Sequence, residues 1–233
     1  MFEFNYETRY GDYKDFYTVK NVCILDIIQD VATRHSAKRG FDMIRLRDMS
    51  LAWMLQGIKV QFLKDTKTEA TITAKTAIKD MRGVTSERGT LILQNGEVCA
   101  RAVASWFLFD FAAGKPIRIP EEIAASYEPY DFNDEFFSFK KFKPRECEVL
   151  RKIHISNKEI DTNHHLNNRK SAEILMDALP FDFPIFEMNI LYKKEAFLGE
   201  ELLLCRTETE NGYYVHLADE NGEIRVLGEF IKR

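Results

Sequence analysis

IDTNHHLNNRKSAEILMDALP, residues 160–180, changes its periodicity half-way along. In the first half, polar side chains recur at every second residue, which in an extended segment places them on one side. These residues are Asp161, Asn163, His165 and Asn167. In the second half, apolar side chains recur at three- and four-residue spacing, as on the buried face of a helix. These residues are Ala172, Leu175, Met176 and Leu179. The stretch predicts an extended polar segment that runs into a helix.

The residues at the junction are suited to begin a helix. Asn167 or Asn168 is a good N-cap and Pro180 is a suitable stop, so we expect the helix over residues 168–179. The start of a helix carries unpaired backbone N–H groups and a partial positive charge. A carboxylate, an amide and an imidazole delivered there would face a place that stabilises a polarised carbonyl group or an oxyanion. We therefore interpret the stretch as a candidate catalytic site.

Two other interpretations of the stretch compete with a catalytic one. Asx residues before a helix often do no more than cap it. The spacing of Asp161, Asn163 and His165 also resembles the start of a calcium loop. However, Leu166 stands where that loop needs a glycine, and Ala172 stands where it needs a glutamate. We therefore expect no metal at this place.

Composition places the chain among ordinary globular proteins. It has 233 residues, 45% hydrophobic and 30% charged, enough for one large domain or two small ones. The 33 basic and 37 acidic residues give a net charge of −4, so no nucleic-acid partner is expected. The 18 phenylalanines indicate a large aromatic core or an apolar cavity.

The sequence also bounds the compartment. No apolar run approaches the length of a membrane span, and the first residues lack the basic and apolar regions of a signal peptide. They also lack the Arg- and Ser-rich composition of an organelle transit peptide. The cysteines are far apart in sequence and form no CxxC pair, which favours reduced core thiols. They are Cys23, Cys99, Cys147 and Cys205. We expect a cytoplasmic protein without a membrane span.

The order of predicted elements is repeated along the chain. The first copy has a strand at 2–20, a helix at 22–39 and strands at 52–63, 68–79, 85–94 and 97–109. The second copy has a strand at 147–156, the helix at 168–179 and strands at 187–194, 200–209, 213–218 and 223–231. Asn95-Gly96 predicts a two-residue hairpin turn. His35 lies on the apolar stripe of the first helix and is interpreted as a core residue rather than a catalytic one.

The amino-acid sequences of the two copies are similar as well. QNGEVCARA at 94–102 corresponds to ENGEIRVLG at 220–228. One helix followed by an antiparallel meander in each copy is an α+β pattern. We predict an N-terminal domain over residues 1–112, a linker over 113–145 pressed across both halves, and a C-terminal domain over 146–233. The linker is rich in aromatic side chains, namely Phe132, Phe136, Phe137, Phe139 and Phe142.

Only the second copy carries a carboxylate–histidine set before its helix. The sequence at the start of the first helix is YTVKNVC, which contains Asn21 but neither a carboxylate nor a histidine. We therefore expect one active site in the duplicated chain.

With this motif and this repeat, the chain resembles the acyl-acyl carrier protein thioesterases of plants and bacteria. Their signature D-x-N-x-H-x-N-N matches Asp161 to Asn168 at every fixed position. Their Y-R-R-E-C-like stretch, on the strand after the second helix, matches Tyr192-Lys-Lys-Glu195-Ala196. The resemblance implies a tandem (double) hotdog fold, in which two long helices are each wrapped by an antiparallel sheet. It also implies hydrolysis of fatty acyl thioesters on acyl carrier protein (ACP), which terminates fatty acid synthesis.

The resemblance further implies roles for the matching residues. Glu195 would be the general base toward water, or less favourably the direct nucleophile. Asn163 and His165 would position the thioester or the water, and Asp161 would orient Asn163. Alanine at 196, where the family often has cysteine, argues against a thiol nucleophile there.

The family likeness also implies how the substrate is bound. Backbone N–H groups near Asn167 and Asn168 would contact the oxyanion. The first copy, which we expect to bind the acyl chain, would line it with apolar side chains, although a plain core role fits them equally well. The candidates are Ile24, Ile28, Trp53 and Leu55.

The expected partner is acyl carrier protein, with no cofactor and no metal. Because that carrier is acidic, a basic docking surface is expected. Its candidates are Arg34, Lys38, Arg39, Lys140, Lys141, Lys143, Arg169 and Lys170. Alternatives are an acyl-CoA thioesterase, a hotdog hydratase acting on an enoyl thioester, or an acyl-binding module without catalysis. The sequence leaves a homodimer open.

Overall fold

The structure, a computed structural model, describes residues 1–128, 130–132 and 137–233. The chain divides into two compact units, Met1–Phe139 and Lys140–Arg233, referred to below as unit 1 and unit 2. Phe136 of the predicted linker lies outside the described residues. The domain boundaries derived from the sequence stay predictions beside this division.

Unit 1 is an antiparallel sheet with one long helix. Its elements are β1 (Phe2–Tyr6), α1 (Asn21–Lys38), α2 (Met43–Asp48), β2 (Leu51–Phe62), β3 (Ile72–Arg82), β4 (Thr85–Gln94), β5 (Glu97–Asp110), β6 (Lys115–Pro116) and α3 (Glu121–Ala125). The strand order is β1-β3-β4-β5-β2, and β6 pairs with the end of β5. α1 lies against β1, β3 and β4.

Unit 2 has a smaller set of elements. They are β7 (Glu148–His154), α4 (Asn168–Met176), β8 (Ile185–Tyr192), β9 (Glu201–Thr209), β10 (Gly212–Ala218) and β11 (Ile224–Lys232). The strand order is β7-β9-β10-β11-β8, and α4 lies against β10 and β11. This is the order of unit 1, element for element. The repeat in the amino-acid sequence therefore extends to the sheet topology.

Each main helix is held by its apolar stripe. In α1, Ile24, Ile28 and Val31 are fully or almost fully buried, and in α4, Leu175 is fully buried. Gly228 of β11 lets α4 approach the sheet, because a Cβ atom there would lie 3.2 Å from Leu175 Cδ1. Burial of these side chains is the main favourable contribution to the stability of each unit.

Two predicted elements are shorter than expected. α1 has 18 residues, but α4 has nine and ends at Met176, so the prediction of two long helices is wrong for the second copy. Ala178 and Leu179 donate to carbonyl groups three residues back, and a residue before proline avoids the helical conformation. The strand predicted at 2–20 ends at Tyr6, and a 3-10 helix follows at Tyr10–Asp12.

The predicted hairpin turn is confirmed, and the predicted linker contains ordered elements. Asn95 and Gly96 have φ values of 52° and 79°, which a two-residue turn of this hand requires. The 113–145 segment contains β6 and α3. Phe132 packs with the buried residues Ala77 and Val103 of unit 1. This part of the segment belongs to the core of unit 1.

None of the helices in the described ranges has the length and apolar character needed to cross a membrane.

A buried histidine and arginine connect α1 to the sheet of unit 1. Arg88 Nη1 donates to His35 Nδ1 at 2.8 Å, and Arg39 Nε lies 3.3 Å from the other ring nitrogen. Phe2 stacks on the imidazole with ring centroids 5.2 Å apart. Burial, and then the charges of Arg88 and Arg39, lower the pKa of His35 to about 3. His35 is thus a neutral core residue, as the helical stripe indicates.

This arrangement predicts acid sensitivity. The unfolded chain binds a proton at His35 near its ordinary pKa of 6.5, whereas the folded chain does so only near 3. The free energy of unfolding should therefore fall as the pH drops between these values. In His35→Gln, whose amide oxygen also accepts from Arg88, that part of the dependence should vanish. Urea unfolding should then show a wild-type slope steeper by about 1.4 kcal/mol per pH unit. Equal slopes would contradict a neutral His35.

Candidate active site

The segment before α4 is a tight turn, not an extended strand. The N–H of Asp161 donates to the His165 carbonyl at 3.0 Å, and the N–H of His164 donates to the Asp161 carbonyl at 3.0 Å. His164 has a φ of 66°, and Asp161 Oδ1 accepts the N–H of Asn163 at 2.8 Å. The prediction of an extended segment, with polar side chains on one side at every second residue, is wrong. The Asp161 side chain accepts a hydrogen bond from the local backbone and closes the turn.

The turn nevertheless brings Asp161 and His165 together at its two ends. His165 Nδ1 lies 3.8 Å from Asp161 Oδ1. On its other side, His165 Nε2 lies 3.7 Å from Glu195 Oε1. The imidazole thus stands between two carboxylates. Both distances exceed that of a hydrogen bond, so the ring lies near both carboxylates and is hydrogen-bonded to neither.

The three side chains differ in their access to solvent. His165 is 15% exposed, Asp161 is 20% exposed and Glu195 is 48% exposed. Asn163 is exposed in the turn. Glu195 is therefore the carboxylate that water and a substrate reach most easily, and Asp161 is the carboxylate held inside the turn.

Glu195 lies on the connection between β8 and β9. β8 ends at Tyr192, two residues before the predicted end at 194, so Glu195 lies beyond the strand on which the family resemblance would place its stretch. The connection reaches the turn through one short bond, from the N–H of Leu166 to the Ala196 carbonyl at 2.7 Å. A β-bridge between His165 and Phe197 continues this pairing. These contacts place Glu195 beside the imidazole.

Three of the four cysteines are poorly suited to act as nucleophiles. Ala196, which stands where the family resemblance would place a cysteine, is buried. Burial raises the pKa of Cys99 and Cys205 and raises that of Cys147 to about 11. They stay protonated near neutral pH and are weak nucleophiles.

Most of the backbone donors at the start of α4 are already used. The side chain of Asn167 accepts the N–H groups of Arg169 at 2.9 Å and Lys170 at 3.3 Å, as an N-cap does. The N–H of Asn167 itself donates to the Glu159 carbonyl. In the part of the chain that the structure describes, the N–H of Asn168 donates to no acceptor. The predicted cap is confirmed, and its side chain is occupied by the helix.

The predicted acyl-contact residues lie in unit 1. Ile24 and Ile28 are buried in α1, and Leu55 is buried in β2. Trp53 packs against a buried cluster that includes Leu108 of β5. All four belong to the apolar core of unit 1, and contact with an acyl chain stays a prediction.

Several candidate docking cations are paired within their own unit. Arg34 forms an ion pair with Asp30 in α1. Arg169 and Lys170 both pair with Glu173, at 3.1 and 2.7 Å. Their charges are partly neutralised before a partner arrives, so docking on them stays a prediction.

The backbone contacts that hold this site also occur before α1. They pair Asp161 with His165, Leu166 with Ala196 and His165 with Phe197, and are called the frame below. The N–H of Val19 donates to the Thr66 carbonyl at 2.9 Å, and Thr18 forms a β-bridge with Lys67. The N–H of Lys14 donates to the Thr18 carbonyl at 2.8 Å. These contacts repeat, position by position, those of the turn before α4. Unit 1 therefore contains the frame of the site.

The side chains on the two frames differ. Asp65 stands in unit 1 where Glu195 stands in unit 2, and Thr18 stands where His165 stands. Lys14 replaces the first carboxylate of the motif. A carboxylate is thus present in the first copy, and sequence reasoning missed it because Asp65 lies far from the YTVKNVC text. That frame carries no imidazole, and one active site in the chain stays a prediction.

In the described part of the chain, no group of three His, Cys, Asp or Glu side chains is arranged to hold a metal ion.

The cap predicts different effects for two adjacent asparagines. Asn167→Ala removes the side-chain acceptor for two backbone N–H groups and should lower the free energy of unfolding by about 1 kcal/mol. Asn168→Ala retains that acceptor and should change stability less. Thermal unfolding followed by circular dichroism would measure both variants. An equal loss in the two would show that Asn167 is not the cap.

Comparisons with known proteins identify the family of the chain. The family described as acyl-ACP thioesterase N-terminal domain matches residues 1–127, and the corresponding C-terminal domain matches residues 142–230. No curated protein matches the chain in sequence.

Solved structures show the same fold at low identity. An acyl-ACP thioesterase from Bacteroides thetaiotaomicron VPI-5482 is 16% identical, with a TM-score of 0.91 over 99% of this chain and 97% of that one. A 12:0-ACP thioesterase from Umbellularia californica is 15% identical, with a TM-score of 0.84 over 100% and 96%. A hypothetical protein from Staphylococcus aureus, characterised in complex with CoA, is 11% identical, with a TM-score of 0.55 over 61% and 95%. With both family domains matched along its length, the chain belongs to the acyl-ACP thioesterase family, whose members are thioester hydrolases.

Proposed function

We propose that unit 2 hydrolyses a fatty acyl-ACP thioester with Glu195 as the general base. The observation that supports this most is the position of His165 between two carboxylates, at 3.8 and 3.7 Å, next to a helix start. A general base needs access to water and to the substrate, and Glu195 is the more exposed of the two carboxylates.

The reaction requires one water molecule. Glu195 removes a proton from the water as its oxygen attacks the thioester carbonyl carbon, which forms a tetrahedral oxyanion. Collapse of this intermediate breaks the carbon–sulfur bond and expels the carrier thiolate. The proton then passes to the sulfur, so that the products are a free fatty acid and the thiol of ACP. His165, within reach of Glu195, orients the reacting groups and relays this proton.

The oxyanion needs donors that point at it. The N–H of Asn168 is a suitable one, because the cap side chain and the backbone already take the neighbouring N–H groups. It lies at the positive end of α4. The side-chain amide of Asn163 is a second donor, and Asp161 fixes the Asn163 backbone through the 2.8 Å bond.

The two units would have different roles in the reaction. In this proposal unit 1 and unit 2 form a tandem hotdog in the cytoplasm, in which unit 1 holds the acyl chain and unit 2 performs catalysis. Each unit's helix on an antiparallel sheet supports that division, as do the two family domains. ACP is the thiol carrier.

The base assignment predicts a large effect of a small change. Glu195→Gln removes the proton acceptor and retains the side-chain shape, so kcat should fall by roughly 10²–10⁴-fold. Asp65→Asn makes the same chemical change on the equivalent frame of unit 1 and should leave kcat unchanged. Thermal unfolding would confirm that both variants are folded. A fully active Glu195→Gln enzyme would remove the assignment.

Substrate class is tested by thiol release from matched acyl-ACP and acyl-CoA thioesters. Wild type should release thiol rapidly from the ACP series and slowly from the CoA series, and His165→Ala should lose activity toward both. The expected loss is roughly 10²-fold or more. Preference for CoA would retain the chemistry and change the partner. A folded wild-type protein inactive on both series would instead favour an acyl-binding module or a hydratase.

A further inference from the structure

One residue, Arg225, holds both ends of the connection that carries Glu195. At the start of the connection, the Arg225 carbonyl accepts the N–H groups of Lys193 at 2.8 Å and Lys194 at 3.1 Å. At its end, Arg225 Nη2 lies 3.4 Å from Glu200 Oε2. The place of Glu195 is therefore set between two contacts to the same residue.

The guanidinium also joins the connection to the β10–β11 hairpin. Arg225 Nη2 lies 3.4 Å from Asp219 Oδ2, and Nη1 lies 2.9 Å from Glu223 Oε2. The Arg225 side chain is only 14% exposed, so these attractions are less screened by water than those of surface pairs. The planar guanidinium serves three carboxylates in different directions, which an ammonium group does less well.

Unit 1 shows that the backbone frame forms without this arginine. There the carbonyl of Cys99 accepts the N–H groups of Leu63 at 2.8 Å and Lys64 at 3.0 Å, as that of Arg225 does in unit 2. Ala70 stands where unit 2 has Glu200. The copy without the catalytic histidine thus builds the frame with a cysteine and an alanine. The arginine–glutamate contact belongs only to the copy with the complete site.

The middle of the connection is also held differently. In unit 1, Gln94 Oε1 accepts the N–H of Lys67 at 2.8 Å, and Gln94 Nε2 donates to the Lys67 carbonyl at 2.9 Å. Phe197, the equivalent of Lys67, is 47% exposed. Its backbone pairs with His165. Unit 2 fixes the connection at its ends and leaves the Phe197 side chain half-exposed.

We infer that Arg225 is a positioning residue for Glu195, an inference that rests on the proposed function. The Arg225 side chain holds the Glu200 end of the connection, its backbone carbonyl holds the other end as that of Cys99 does in unit 1, and its charge offsets the carboxylates of Glu200, Asp219 and Glu223. Together with Lys194, which pairs with Glu223, it leaves one excess negative charge in this cluster. Without Arg225 the excess would be two. The base would then move and would sit beside a more negative cluster.

Substitution of Arg225 tests position and charge together. In Arg225→Met, kcat should fall by about 10²-fold with a smaller change in KM, because misplacement of a catalytic group by about 1 Å has an effect of that size. Arg225→Lys retains the charge and should recover part of kcat. Arg145→Met removes another arginine of unit 2, paired with Glu229 at 2.7 Å, and should leave kcat within about twofold of wild type.

The pH profile separates positioning from a general loss of structure. The charged group in contact with Glu195 is His165, which in turn contacts Asp161, and the connection and the β10–β11 hairpin that holds it carry Lys194, Glu200, Asp219, Glu223 and Arg225. Loss of one positive charge favours protonated carboxylates. The acidic limb of the kcat profile should therefore move to higher pH in Arg225→Met and stay close to wild type in Arg225→Lys.

A double-mutant cycle tests the contact itself. Glu200→Gln removes the group that Arg225 holds at the end of the connection, and it should lower kcat in the same direction. Arg225→Met combined with Glu200→Gln should be no worse than Arg225→Met alone. Strictly additive losses would overturn the inference, as would a folded Arg225→Met with wild-type kcat and pH profile. Full activity of Glu195→Gln would instead overturn the proposed function, so the two failures are distinguishable.

Discussion

The hydrogen bond from the Leu166 N–H to the Ala196 carbonyl, at 2.7 Å, is the contact on which the site depends. It joins the turn before α4 to the connection after β8, two segments far apart in the chain. The motif around Asp161 and the glutamate at 195 acquire a common geometry only through this pairing. Without it, the carboxylate proposed as base and the imidazole have no fixed relation, and orientation of reacting groups is a large part of catalysis.

The duplication shows how much of this geometry is independent of chemistry. The pairing of Val19 with Thr66 in unit 1 has the same form as that of Leu166 with Ala196, and Asp65 even retains a carboxylate. The frame is thus a property of the fold, whereas reactivity depends on the side chains placed on it. Unit 1 has the hydroxyl of Thr18 in place of the imidazole and Lys14 in place of the first carboxylate, so neither group accompanies Asp65 on that frame.

The two units also bury arginine in different ways. Arg88 in unit 1 is surrounded by neutral partners, the His35 ring nitrogen and the Thr76 hydroxyl, and burial lowers its pKa. Arg225 in unit 2 meets carboxylates instead. A guanidinium with neutral acceptors fixes a core at a cost in desolvation, whereas one with carboxylates also sets the local field. This difference supports a structural role for the first arginine and a role near the site for the second.

An α+β fold with an internal repeat and the cap at Asn167 follow from local periodicity, capping and turn chemistry, which neighbouring residues encode. The grouping of Asp161, His165 and Glu195 in one motif set came from the family resemblance. The folded structure supplies the remaining features. It has a turn where an extended segment was predicted before α4, because the periodicity of a sequence does not reveal a hydrogen bond between the Asp161 side chain and the local backbone. It also revealed Asp65 and Arg225 as members of the two frames, because pairing between distant strands has no signature in a single segment of sequence.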